Sequence, residues 1–260
     1  MQVSGLTMRQ LESEQATFPV LEELLRRMPS RGRPLQILEA GCGRQWYLNM
    51  EGIDYELTGI DLDPAALEAR RTIKRDLHHS FVGDLRTADL PPQSYDVIYC
   101  AYVLEHVRGA EQVLKNFVRW LRPGGMIIVR VPDFDSVQGL ITRLPPYWFH
   151  VFYYRYIEGQ RNAGKPGFAP YPTVYDAVIS RKGMQRFARE HGLELREELG
   201  HGSYKRGRPP FSLLIPVFAK TVSLLTFGRV HSRFSNLTFV LSKPAEEERR
   251  RTPGGGLTAA

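Results

Sequence analysis

Residues 34–43 read Pro-Leu-Gln-Ile-Leu-Glu-Ala-Gly-Cys-Gly, an apolar stretch that runs into two glycines. The segment Leu35 to Ala40 predicts a short buried strand. Gly41 and Gly43 let the backbone turn sharply and come close to a ligand. Glu56 to Ile60 predicts a second strand, ending at Asp61. A carboxylate there is placed to accept both hydroxyls of a ribose. Glycine loop plus strand-end acid is a nucleoside-binding arrangement. A plain tight turn would explain the glycines, but not the acid. Two details disfavour a dinucleotide. Trp46 stands where a third glycine would sit, and Glu39 before the loop would repel a phosphate while welcoming a cation.

The same rhythm continues outward. Asp63-Pro64 opens a helix through about Arg75, with Asp63 as N-cap. Ser80 to Val82 is a short strand before Asp84, Tyr95 to Ala101 a fourth strand, and Met126 to Val131 a fifth. Glu111 to Leu121 predicts a helix closed by the turn Arg122-Pro123-Gly124-Gly125. Thr17 to Met28 is amphipathic, with Phe18, Leu21, Leu24, Leu25 and Met28 at helical spacing. Ser180 caps a helix to about His191, and 193–199 and 236–241 predict two more strands. Apolar strands alternating with helices predict a mostly parallel α/β sheet with helices on both faces. One domain is expected over residues 1–245: a helix within 1–30, a core at 35–132, an aromatic-rich insertion at 136–179, and a hydrophobic, basic insertion at 200–235. The 246–260 tail has too little apolar content to fold and is expected to be disordered.

Five segments occur in a familiar order: ILEAGCG (37–43), LTGIDLDPAAL (57–67), FVGDL (81–85), SYDVIYCAYVLEHV (94–107) and VLKNFVRWLRPGG (113–125). Together they resemble the successive motifs of class I S-adenosylmethionine-dependent methyltransferases, in the type 11-like branch acting mostly on small molecules. The resemblance covers about residues 35–132. It implies a Rossmann-like seven-stranded sheet with an antiparallel last strand. S-adenosylmethionine carries no phosphate and has cationic amino and sulfonium groups, which suits Glu39 and Trp46. The resemblance further implies that Gly41 and Gly43 pass beneath the methionine part and Glu39 supports its amino group. Asp61 would hold the ribose with Leu62 beside the adenine. Asp84 would accept from the adenine amine and the Leu85 backbone would meet a ring nitrogen. Ala101 and Tyr102 would run past the methionine end. Arg44 and Gln45 depart from the small residues usual after the second glycine.

Methyl transfer is an in-line displacement, so alignment and exclusion of water are the main demands. The candidate base is His106, which follows the fourth strand on the ligand-binding side of such sheets. The alternative is that it packs over the cofactor or orders its loop. His78-His79 lacks a third ligand nearby, so no metal is expected. No Asn/Asp-Pro-Pro-Tyr/Phe follows the fourth strand, which disfavours nucleic-acid bases as acceptors.

Residues 144–156 hold seven aromatic rings. Tyr147, Trp148, Phe149, Tyr153 and Tyr154 are candidate walls for a lipophilic or aromatic acceptor; extra core is the alternative. The chain has 260 residues and a formal charge of +7. From His201 to Ala245 there are seven basic residues and no acidic one, and the other 28 Lys and Arg equal the 28 Asp and Glu. The apolar run 211–227 lies inside that basic stretch. A helix resting on an anionic membrane through 205–233 is one reading; a substrate lid, a homodimer patch, core, and a solvated face are the others. Two cysteines read as reduced, and no secretory signal is evident, so a cytoplasmic protein is expected. Within the fold, coupling of methylation to cyclisation, a nucleic-acid acceptor, or a non-enzymatic cofactor-binding scaffold are the competing functions.

Overall fold

Alternate residues of the apolar strands face two different helical layers, which is why these strands are apolar at nearly every position. The computed structural model describes residues 7–143, 145–157, 159–165, 170–202 and 211–245. Its strands are β1 (Arg9–Gln10), β2 (Leu35–Ala40), β3 (Tyr55–Asp61), β4 (His79–Val82), β5 (Tyr95–Ala101), β6 (Leu121–Pro132), β7 (Glu194–His201) and β8 (Asn236–Ser242). They form one sheet in the order β1-β7-β8-β6-β5-β2-β3-β4. β8 is antiparallel to both neighbours, and the other pairings are parallel. The sheet therefore has eight strands where seven are expected. The addition, β1, is two exposed polar residues on the edge of β7, with no hydrophobic period to announce it.

The helices are α1 (Phe18–Arg26), α2 (Pro64–Ala69), α3 (Ala110–Trp120), α4 (Val137–Arg143), α5 (Tyr147–Phe152), α6 (Arg181–Glu190) and α7 (Phe211–Leu225). α1 packs Leu21 and Leu25 on Ile37, Leu57, Val97, Tyr99 and Ile128. α3 and α6 pack Val113, Phe117, Met184 and Phe187 on Leu38, Ile98, Ile127, Val129 and Phe239. Each such side chain contributes roughly 1.5–3 kcal/mol through burial. Asp63 caps α2 by accepting from Ala65 N–H, and Ser180 caps α6 by accepting from Gly183 N–H.

Residues 122–125 are not a free turn. β6 already begins at Leu121, beside Tyr95, and its register shifts between Tyr95 and Val97. Gly124, at φ 75°, sits in that irregularity and bonds to the Lys243 carbonyl. The aromatic-rich insertion forms short helices, and the 211–227 run forms α7. Residues 166–169, 203–210 and 246–260, which hold part of the two expected insertions and the expected disordered tail, lie outside the described residues.

Candidate functional site

The glycine loop is held from below by a buried arginine. Arg70 follows α2 in a π-helical turn, is fully buried, and donates to Glu39 Oε2, the Cys42 carbonyl and Asp76 Oδ1 at 2.8 Å each. Burial pushes the Glu39 carboxyl up to about 8, against the pull of Arg70. Burial also pushes the Cys42 thiol up to about 12, so it is no nucleophile at neutral pH. Cys42 and Cys100 are both free.

Gly41 and Gly43 have φ of 72° and 52°, the left-handed region that glycine tolerates. They differ in surroundings. A Cβ at Gly41 would collide with Val103, whereas a Cβ at Gly43 would meet no protein atom within 4 Å. Gly43 therefore borders open space. Its N–H donates to Asp61 Oδ2 at 2.8 Å, so the strand-end acid also locks the loop. Asp61 Oδ1 accepts from Asp63 N–H. A cavity of about 360 Å³ opens over the loop, bordered by Glu39, Gly41, Gly43, Ala101, Tyr102 and Arg130. Tyr102 is itself at φ 58°, a strained conformation for a tyrosine. Burial and the neighbouring Glu14 carboxylate push its phenol up, against the pull of Arg130.

The adenosine side is more open. Leu62 is 68% exposed, a flat apolar surface at the end of β3. Asp84 is bound by Arg86 through Nε at 3.0 Å to both oxygens, which holds its carboxyl below the usual range. Leu85 is buried, and its carbonyl accepts from Asn116 Nδ2. The residues present fit S-adenosylmethionine: a loop whose second glycine leaves room for a ligand, acids at both strand ends, and an apolar platform between.

A second cavity, of about 570 Å³, borders the loop after β5 at His106. His106, Tyr147, Tyr154, Tyr171, Tyr175 and Arg143 are among its walls. The segment 170–176 closes it by zipping onto the loop after β5: Val174 N–H donates to the Glu105 carbonyl at 2.6 Å, and His106 Nδ1 lies 2.9 Å from the Pro172 carbonyl. A carbonyl can only accept, so Nδ1 carries the proton and Nε2 keeps its lone pair. Burial pushes the imidazole below its ordinary value. The adjacent Glu105 carboxyl is buried and pushed up to about 8. Tyr171 stands edge-on to His106 at 5.7 Å, and burial together with the charges of Asp63 and Asp61 pushes its phenol up.

Of the five aromatic candidates, Tyr147 and Tyr154 border this cavity. Trp148, Phe149 and Tyr153 do not border it and are exposed. Sequence reading missed Arg70, Arg130, Glu14 and the 170–176 segment. Each acts across more than 30 positions or from a loop without pattern, and no local signal marks them. His78 accepts from Leu57 N–H, and His79 lies 3.8 Å from Glu56. Among the described residues no cluster suits a metal ion.

Residues 38–129 match a family model described as a methyltransferase domain. Malonyl-[acyl-carrier protein] O-methyltransferase of Serratia marcescens is 29% identical over 106 residues, 40% of this chain and 41% of that protein. The chain spans less than half the length of this and similar curated relatives. A solved S-adenosylmethionine-dependent methyltransferase from Mesorhizobium loti shares the fold at TM-score 0.51 and 18% identity, covering 84% of this chain and 95% of that one. The cyclase SpnF does so at TM-score 0.50 and 13% identity, covering 92% and 89%.

Proposed function

Residues 38–129 being a class I S-adenosylmethionine-dependent methyltransferase domain, we propose that the chain methylates a small, lipophilic or aromatic metabolite in the tyrosine-walled cavity. When bound, S-adenosylmethionine supplies a methyl group already activated on a sulfonium. The protein's own part is to bind, align and deprotonate. Glu39, Gly41, Gly43, Ala101 and Tyr102 hold the methionine end, and Asp61, Leu62, Asp84 and Leu85 the adenosine. His106 is the general base, because Pro172 fixes its Nδ1 proton and leaves Nε2 to accept. The contact of His106 Nδ1 with the Pro172 carbonyl, at the wall of the second cavity, is the observation that carries the reading. Tyr147 and Tyr154 grip the acceptor, and the 170–176 strap excludes water.

Purified protein given S-adenosylmethionine and a fractionated cell extract should form S-adenosylhomocysteine only with fractions holding an apolar small molecule. Tyr154→Ala should raise KM for that fraction several-fold. Turnover that follows RNA or DNA, or none with any fraction, would overturn the reading.

We also propose that α7 rests on an anionic membrane. Val217, Leu224, Leu225 and Phe227 are exposed, the last at 95%. Lys220 and Arg229 lie in the same region, while Lys243 is buried, donating to the Val118 and Leu121 carbonyls at the end of α3. No helix among the described residues is long and apolar enough to cross a membrane. The reading predicts co-sedimentation with phosphatidylglycerol vesicles, lost in Leu224→Glu/Phe227→Glu. Equal sedimentation of wild type and variant would sink it.

A further inference from the structure

Arg130 breaks the apolar run of β6 in the middle of the sheet. The two-residue period of the strands places it on the α1 face, with Glu39 of β2 and Tyr99 of β5. It is 1% exposed, and a guanidinium stays charged at any physiological pH. Nη1 donates to the Tyr99 hydroxyl at 3.1 Å, and Nη2 donates to Thr17 Oγ1 at 3.1 Å and Glu14 Oε1 at 3.2 Å. Nε–H is buried without an acceptor among the described residues. The rings of Phe18 and Tyr102 lie 4.9 and 5.4 Å from the guanidinium carbon. Among the described residues Arg130 thus has a single carboxylate neighbour, Glu14, whose side chain is 31% exposed. Arg70, the other fully buried arginine, has two carboxylates.

A buried cation so thinly matched is costly unless an anion joins it. Arg130 borders the glycine-loop cavity, within reach of whatever lies over Gly41 and Gly43. The backbone holds it there: Arg130 pairs with Ala101, and its carbonyl accepts from Tyr102 N–H at 2.8 Å. The left-handed turn at Tyr102 follows directly.

We propose that Arg130 is the receptor for the α-carboxylate at the amino-acid end of the cofactor, which its unpaired Nε–H and thinly matched charge await. The inference rests on the reading that this cavity holds S-adenosylmethionine. The carboxylate completes the hydrogen bonding of Arg130, while Glu14 and Glu39, on either side, face the α-ammonium. The N-terminal segment carrying Glu14, Thr17 and Phe18 forms one wall of this subsite.

The test is calorimetric and needs no acceptor. S-adenosylhomocysteine carries the amino-acid end, and 5′-methylthioadenosine lacks it. Both are titrated into wild type, Arg130→Met and Arg130→Lys, with circular-dichroism melts as a check on folding. Arg130→Met should weaken S-adenosylhomocysteine about 10- to 100-fold, the worth of a charge-assisted hydrogen bond. Methylthioadenosine should stay within about twofold, and Arg130→Lys should recover part of the loss. Should the methionine variant not fold, the lysine variant is compared with wild type on decarboxylated S-adenosylhomocysteine. The cost of removing the carboxylate must then be smaller in Arg130→Lys. Equal losses for both nucleosides, or an unchanged S-adenosylhomocysteine affinity, would overturn the assignment alone. Wild type binding neither nucleoside would overturn it together with the cofactor reading.

Discussion

Gly41 and Gly43 look alike in sequence but constrain different things. Gly41 faces Val103, so a methyl group there overpacks the loop. Gly43 faces open space. Gly41→Ala should lower stability by about 2 kcal/mol, with a fall in melting temperature of several degrees. Gly43→Ala should cost about 1 kcal/mol of backbone strain, yet weaken S-adenosylhomocysteine binding at least tenfold by calorimetry. The reverse pattern would move the ligand away from Gly43. His106 makes a pH prediction. Burial lowers its pKa, so it stays neutral, and able to accept a proton, to below the ordinary histidine value of about 6.5. The acid limb of kcat should therefore lie below pH 6.5 and vanish in His106→Gln, which should lose about 10²-fold in rate. A retained limb in the variant would assign it to another group.

At the scale of elements, most boundaries were legible because they are set by nearest-neighbour chemistry. Asp63-Pro64 and Ser180 start α2 and α6 as their side chains dictate. α3 is different. Its N-cap is Gly109, which has no side chain to offer, and the Ala110 N–H is met by Asp176 from a distant loop at 3.1 Å. The same carboxylate caps the 3₁₀ turn Ala177–Ile179 through Val178 N–H. Asp176 thereby pins the 170–176 segment to the core. Asp176→Ala should cost about 1–2 kcal/mol and raise hydrogen exchange in both 105–110 and 172–178. Exchange confined to one segment would show that they are not coupled. The aromatic insertion was read as one wall, but helical geometry divides it: Tyr147 and Tyr154 turn to the cavity and Trp148 turns away.

At the scale of the molecule, Asp96 ties the entry of β2 to the starts of β5 and β6. Its carboxylate accepts from Arg33 at 2.6 and 2.9 Å, Arg122 at 3.2 Å and Gln36 N–H at 2.9 Å. Burial pulls its pKa upward, but Arg33, Gln36 and Arg122 outweigh that and hold it below the usual range. A depressed carboxyl stabilises the fold above its unfolded value of about 3.9, and this is lost as pH falls through the folded value. Asp96→Asn should cost roughly 2 kcal/mol at pH 7, discounted for the partly exposed arginines, and progressively less below pH 4. A loss independent of pH would point to packing instead.

The sequence by itself determined the parallel core and the glycine loop with its strand-end Asp61, because these depend on short-range periodicity and neighbouring strands, and the cofactor class through the resemblance of five ordered segments between 37 and 125. It also placed His106 just after the strand that forms β5. Only the tertiary structure decided which nitrogen of His106 is free, since Pro172 arrives from 66 residues away. The same holds for the support of Glu39 by Arg70 and for Arg130 beside Glu14, a contact across 116 positions. Such long-range polar contacts leave no period in the chain. They arise when the sheet brings together strand ends that the sequence keeps apart.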